Sequence, residues 1–149
     1  MDKKFMKRAL ELAREAALNG EVPVGAVIVK DGKIISEGMN HREEKQSALS
    51  HAEIEAIEGA NKALGTWRLD GCEMYVTLEP CPMCAGAILN SRISEVIFGA
   101  FDKDAGFIDS VTNVFSLTKT AKQPKIFCGI CEDECVQLLN DFFKEVRQK

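Results

Sequence analysis

Apolar residues recur every three or four positions towards both ends of the chain, a spacing that is typical of amphipathic helices. The first such segment covers residues 3–18 and stops before Asn19-Gly20, a pair that favours the C-terminus of a helix. The second segment carries apolar side chains at Cys135, Leu138, Leu139, Phe142, Phe143 and Val146. The pattern therefore predicts one helix near each end of the chain.

Four short apolar runs between these helices predict buried strands over residues 24–29, 74–78, 96–98 and 125–128. Lys30-Asp31-Gly32-Lys33 follows the first run and contains the Asp-Gly pair of a tight hairpin turn. Ile34-Ile35 then begins the return strand. Five strands are predicted in all.

Two further helices are predicted from the residues at their starts. Ser50 is a candidate N-cap with Glu53 three positions later, as in a capping box, and this helix should run to about Leu64. Pro82 suits the first turn of a helix that reaches about Asn90. Helices thus alternate with strands, which predicts an α/β fold with a central mixed sheet of about five strands and helices on both faces.

Length and composition agree with a single domain over residues 1–149, since no linker or repeat divides the chain. The sequence is 46% hydrophobic and 28% charged, as in soluble globular proteins. No run approaches the roughly 18 apolar residues of a membrane span, and no apolar signal region follows the basic N-terminal residues. We therefore expect a cytoplasmic protein with no membrane partner, whose six cysteines are thiols rather than disulfides.

The net charge of −4 argues mildly against a nucleic-acid partner, because phosphate binding usually leaves a basic surface. Lys119, Lys122 and Lys125 form a local basic cluster that weakens this objection. We interpret the cluster as solvated surface charge.

The strongest chemical signal is His51-Ala52-Glu53, followed about thirty residues later by Cys81-Pro82-Met83-Cys84. One imidazole and two thiolates make three zinc ligands and leave the fourth tetrahedral position for water, which is the arrangement of catalytic rather than structural zinc. Glu53 follows the histidine by two residues and is placed to move protons. The motif predicts a hydrolytic enzyme.

Other interpretations exist for the cysteines, because a Cys-x-x-Cys pair is also found in redox sites and in structural zinc knuckles. A second pair, Cys128 and Cys131, makes a closed four-cysteine site formally possible, but that site would leave His51 and Glu53 without a role. We therefore interpret the second pair as buried thiols, together with Cys72 and Cys135. His41 is interpreted as a surface residue.

Six segments around this motif resemble the bacterial tRNA-specific adenosine deaminase family: Val22-Pro23-Val24-Gly25-Ala26-Val27, Glu37-Gly38-Met39-Asn40, His51-Ala52-Glu53-Ile54, residues 75–88, Ser91-Arg92-Ile93 and Phe98-Gly99-Ala100. The resemblance implies the three-layer αβα fold of cytidine deaminases. It also implies a homodimer that converts the wobble adenosine of a tRNA anticodon stem-loop to inosine.

The resemblance also implies a role for each matching residue. One Zn²⁺ per subunit, with one bound water or hydroxide, would be held by His51, Cys81 and Cys84, and Glu53 would shuttle the protons. The flipped base would contact Asn40, Val27 and Ala52, and Asp102 would lie near the RNA strand.

Two segments depart from the family pattern. Residues 47–50 replace the usual Asp-Pro-Thr-Ala, and residues 106–110 replace a loop rich in glycine and alanine. The bulky Phe107 and Ile108 are open to two interpretations: neutral variation of a loop, which we favour, or a narrower pocket mouth. These loops and the acidic charge keep a second hypothesis open, a deaminase of a free base or nucleoside of the guanine or cytosine type. A third hypothesis is a non-catalytic, zinc-stabilised partner subunit, which Glu53 disfavours.

Overall fold

A computed structural model describes residues 1–119 and 122–148. The helices are α1 (Lys3–Leu18), α2 (Arg42–Lys45), α3 (Ala52–Leu64), α4 (Pro82–Ser91) and α5 (Glu132–Arg147), with a 3-10 turn at Val114–Leu117. The strands are β1 (Gly25–Lys30), β2 (Lys33–Met39), β3 (Glu73–Leu78), β4 (Glu95–Ala100) and β5 (Lys125–Cys128). No helix within the described ranges is both long and apolar enough to cross a membrane.

The five strands form one mixed sheet in the order β2-β1-β3-β4-β5. β1 is antiparallel to both β2 and β3, whereas β3, β4 and β5 run parallel to one another. The α4 crossover between β3 and β4 makes this parallel pairing possible, because parallel neighbours need a connection that returns to the same end of the sheet. The predicted mixed sheet of five strands is confirmed.

Helices cover both faces of the sheet, and each face has its own hydrophobic core. Along β1, Ala26 and Ile28 belong to the core beneath α3 and α4, whereas Val27 and Val29 belong to the core beneath α1 and α5. This division follows from the alternation of side chains along a strand. The three-layer αβα fold is therefore as expected from the sequence.

Two details of the helices differ from the prediction. The first residue of α3 is Ala52 and its N-cap is His51, so the expected capping box that starts at Ser50 does not form. The four-residue helix α2 was not predicted. It is stabilised by a residue distant in the sequence: the buried carboxylate of Glu21 accepts hydrogen bonds from the backbone N–H groups of Glu43 and Glu44, both at 2.9 Å.

Candidate active site

Three potential metal ligands meet where α3 and α4 begin. His51 Nδ1 lies 3.7 Å from Cys81 Sγ and 3.6 Å from Cys84 Sγ, and all three ligand atoms lie within 4.8 Å of one another. Nitrogen and sulfur atoms bound to one tetrahedral zinc with ordinary bond lengths are about 3.6 Å apart. The sequence motif is thus brought together with the spacing that zinc requires.

The backbone leaves these side chains free to bind a metal. His51 and Cys81 are the N-caps of α3 and α4, and neither side chain makes a capping hydrogen bond to its own helix. Cys84 lies one turn further into α4 and is buried. The positive end of the α4 dipole favours thiolate at both cysteines, as a zinc ligand needs.

The three groups share protons in the metal-free protein. A hydrogen bond from Cys84 holds the pKa of Cys81 well below its usual range, although burial opposes this. The same hydrogen bond, together with burial, raises the pKa of Cys84. A hydrogen bond to Cys81 raises the pKa of His51. A metal ion that binds here must displace these protons, so its affinity rises with pH.

Glu53 lies in the first turn of α3, beside the ligand group, and is only 3% exposed. Burial raises the pKa of Glu53 to about 7. A carboxyl group with that pKa can both accept and release a proton at neutral pH.

A cavity of about 200 Å³ opens onto the ligand group. This volume lies below the roughly 300–1,000 Å³ of pockets for drug-sized ligands and suits a single base. Its walls include three of the residues expected from the sequence, Asn40, Ala52 and Asp102. The walls also include residues to which the sequence assigned no role: Val22, Val24, Arg42, Leu78, Glu79 and Ala105.

The assignment of Val27 to this pocket is wrong. Val27 is fully buried beneath α1 and α5, on the opposite face of the sheet, and the wall is supplied by Val24, which precedes β1. The alternation of side chains along a strand separates these two positions.

Asn40 is almost fully buried and its side chain is oriented by the backbone. Its Nδ2 donates to the carbonyl oxygen of Val22 at 3.3 Å, and its Oδ1 accepts from the N–H of Arg42 at 3.0 Å. A primary amide has two N–H groups and two acceptor lone pairs on its oxygen. One donor and one acceptor are therefore left for the pocket.

Phe107 and Ile108 do not narrow the pocket mouth, the less favoured of their two interpretations. Ile108 is 1% exposed and belongs to the core beneath α3 and α4, and Phe107 packs against the same core. Neither residue lines the cavity. On the other unusual segment, Ser47 and Leu49 line a separate surface groove.

The remaining cysteines lie apart from the ligand group. Cys72 and Cys135 are buried, as expected, but Cys128 is exposed and Cys131 is partly exposed, so the prediction of buried thiols is wrong for the second pair. Within residues 1–119 and 122–148, the one metal-binding group of three or more side chains is the His51 group. His41 is also less exposed than expected, because its Nδ1 lies 2.8 Å from the Glu55 carboxylate.

A mixed sheet between two helical layers, with a His/Cys/Cys group at two helix N-termini, defines the cytidine-deaminase-like class of hydrolases. Residues 1–147 match the sequence model of the MafB19-like deaminases. The tRNA-specific adenosine deaminase of Bacillus subtilis is 47% identical over 148 residues, which are 99% of this chain and 92% of that protein. The chain therefore belongs to the MafB19-like deaminase family, among its tRNA-specific adenosine deaminases.

Two solved structures are also similar. A chain from a study of A-to-I editing by tRNA:A34 deaminases at the wobble position of transfer RNA superposes with a TM-score of 0.88 and 42% identity, covering 93% of this chain and all of that one. The guanine deaminase of Bacillus subtilis superposes with a TM-score of 0.66 and 41% identity, covering 85% of this chain and 83% of that one. The fold is therefore shared by enzymes that act on different purines.

Proposed function

We propose that this protein hydrolyses the wobble adenosine of a tRNA anticodon to inosine, with release of ammonia. The observation that carries the proposal is the His51, Cys81 and Cys84 group beside the buried Glu53 in a pocket sized for one base. The similarity to tRNA-specific adenosine deaminases over nearly the whole chain supplies the substrate class.

In this mechanism the ligand group holds one Zn²⁺ per chain. The chemistry that zinc supplies in such sites is Lewis acidity, which makes water a nucleophile at neutral pH. Glu53 would accept one proton from the attacking water and pass it to a nitrogen of the adenine ring. It would then accept the second proton, from the hydroxyl group left on the base, and pass it to the amine, which departs as ammonia while the C–N bond breaks. Its burial supports this role, because burial raises the pKa of Glu53 to about 7.

The pocket orients the base. Asn40 offers one donor and one acceptor to the edge of the purine, while Ala52 and Val24 supply apolar walls. The target nucleotide would leave the RNA stack to place its base in this cavity, as in other enzymes that act on a nucleobase. Asp102 lines the same cavity, and its resemblance to the family residue supports a position near the entering RNA strand.

The test compares two carboxylates on α3. Glu53→Gln should lower kcat for inosine formation in an adenosine-bearing anticodon stem-loop by at least about 100-fold, the scale of general acid–base catalysis, while one zinc per chain is retained. Glu55→Gln is the matched control, because Glu55 pairs with His41 outside the pocket and should leave kcat within about twofold. Full activity of Glu53→Gln would contradict the mechanism.

A second candidate is deamination of free guanine, which the superposition on guanine deaminase favours. The same assay separates the two candidates. If the protein releases ammonia from guanine but forms no inosine in the stem-loop, the guanine deaminase proposal replaces the tRNA proposal.

We further propose that the protein is a cytoplasmic homodimer, as its resemblance to the family implies. Light scattering of the purified protein tests the dimer, and cell fractionation tests the location. Metal analysis tests the ratio of one zinc per chain.

A further inference from the structure

Glu79 is a buried carboxylate for which the proposed mechanism has no use. It is 2% exposed, lies between β3 and the ligand Cys81, and lines the pocket. A buried carboxylate is costly unless its oxygens accept hydrogen bonds. The hydrogen bonds that Glu79 accepts come from a single loop, residues 102–110.

Four donors of this loop converge on the two oxygens of Glu79. Oε1 accepts from the backbone N–H of Asp102 at 3.1 Å and from the hydroxyl of Ser110. Oε2 accepts from the backbone N–H groups of Asp109 and Ser110, both at 2.8 Å. Burial raises the pKa of Glu79, but these hydrogen bonds outweigh it and leave the pKa below its usual value.

The loop is shaped around this carboxylate. Gly106 passes so close that a Cβ at this position would overlap the carboxyl group of Glu79. Next to it, the N–H of Phe107 donates to the carbonyl oxygen of Pro80 at 2.9 Å. The loop is thus bound to the two residues that lead into Cys81.

The same loop forms part of the pocket wall through Asp102 and Ala105. Asp102 Oδ1 accepts from the N–H groups of Asp104 and Ala105, both at 3.1 Å, which closes a tight turn. The start of this turn is held by Glu79 through the N–H of Asp102. Glu79 therefore connects the pocket wall at Asp102 to the chain segment that precedes Cys81.

We propose that Glu79 is a positioning residue, whose carboxylate fixes the 102–110 loop against the metal-ligand turn and so sets the wall that holds the substrate base. This inference rests on the proposed function for its substrate. Both oxygens of Glu79 accept hydrogen bonds from the loop, so we expect its loss to weaken substrate binding more than the chemical step.

The test is the Glu79→Gln variant, which keeps the size and shape of the side chain. It replaces one acceptor oxygen by an NH₂ group, which cannot accept the hydrogen bonds that the loop donates. We expect KM for the stem-loop to rise at least tenfold, kcat to fall less than threefold, and zinc to stay at one per chain. Amide hydrogen exchange at residues 102, 109 and 110 should accelerate at least tenfold. Glu73→Gln, at the other end of the same strand, is the matched control and should leave KM, kcat and exchange unchanged.

Ser110→Ala removes one donor and keeps the carboxylate, so it answers the question even where Glu79→Gln fails to fold. It should raise KM by a smaller factor, and it should add little in the Glu79→Gln background, because the two groups are coupled. An unchanged KM in both variants, or a loss of zinc and kcat in proportion to KM, overturns the inference. Hydrogen exchange keeps this result separate from the proposed function, since it reports on the loop whatever the substrate is.

Discussion

Replacement of Gly38 by alanine should disturb the metal site through the helix that carries it. A Cβ at Gly38 would lie 2.7 Å from the backbone nitrogen of Ala56, and closer still to the carbonyl oxygen of Ala52. Ordinary contacts begin at 3.4 Å, so α3 and β2 must separate by at least about 0.7 Å. His51 precedes α3 and Asn40 follows β2, so a residue of the site moves whichever element yields.

The size of this movement decides the expected effect. Zinc ligands tolerate deviations of about 0.2 Å, and changes in the groups that orient them lower metal affinity by about 10- to 100-fold. We therefore expect a 10- to 100-fold loss of zinc affinity in Gly38→Ala. Overpacking of this kind also lowers the free energy of unfolding by about 1–3 kcal/mol.

Gly25 offers a matched control on the opposite face of the sheet. A Cβ there would lie 2.8 Å from the nitrogen of Ala13 in α1, nearly the same overlap, but α1 carries no residue of the site. Gly25→Ala should lose similar stability and keep its zinc affinity. Urea unfolding of the metal-free proteins measures the first quantity, and competition with a chromogenic zinc chelator measures the second. Equal zinc affinity of the two folded variants would refute the reasoning.

Three further predictions concern the metal group, the core and an ion pair. Cys84→Ser should abolish zinc binding by metal analysis, whereas Cys128→Ser should retain one zinc per chain. Ile108→Ala should lower the free energy of unfolding by about 2–5 kcal/mol in urea, because this side chain is buried in the core. The hydrogen-bonded Arg8 lowers the pKa of Glu37, so the pair stabilises the fold above the ordinary value of 4.5 and ceases to do so as the pH falls. Glu37→Gln should therefore be less stable than the parent by up to about 1 kcal/mol at pH 7, and this difference should shrink as the pH is lowered below 4.5, by urea unfolding across the range.

The sequence correctly predicted the helices and strands whose apolar residues recur with a regular spacing. The helix at 3–18 and the strand at 125–128 have the predicted bounds, because one buried face or one short apolar run determines each of them. The His51, Cys81 and Cys84 group was predicted as well. Its signal is the residue types at their spacing, and it does not depend on the details of the packing.

The failures arise where distant residues decide local structure. Helix α2 is polar and too short to show a helical spacing of apolar residues. It is stabilised by Glu21, which precedes the β1–β2 hairpin in the sequence, whereas α2 follows it. A narrower pocket mouth was one of two open interpretations of Ile108, because it replaces a smaller family residue, but its side chain fills the core instead. Nothing local to residue 108 indicates on which side of the loop the core lies.

Three carboxylates reach the same pocket, and their surroundings separate their roles. Glu79 accepts hydrogen bonds from the backbone N–H groups of Asp109 and Ser110, which favour its ionised form. The carboxylate of Asp102 closes a tight turn by accepting from the N–H groups of Asp104 and Ala105. Burial, in contrast, raises the pKa of Glu53 to about 7. Groups with such opposed environments are suited to different tasks. Glu53 is therefore the carboxylate suited to move protons, whereas Glu79 and Asp102 maintain the shape of the wall.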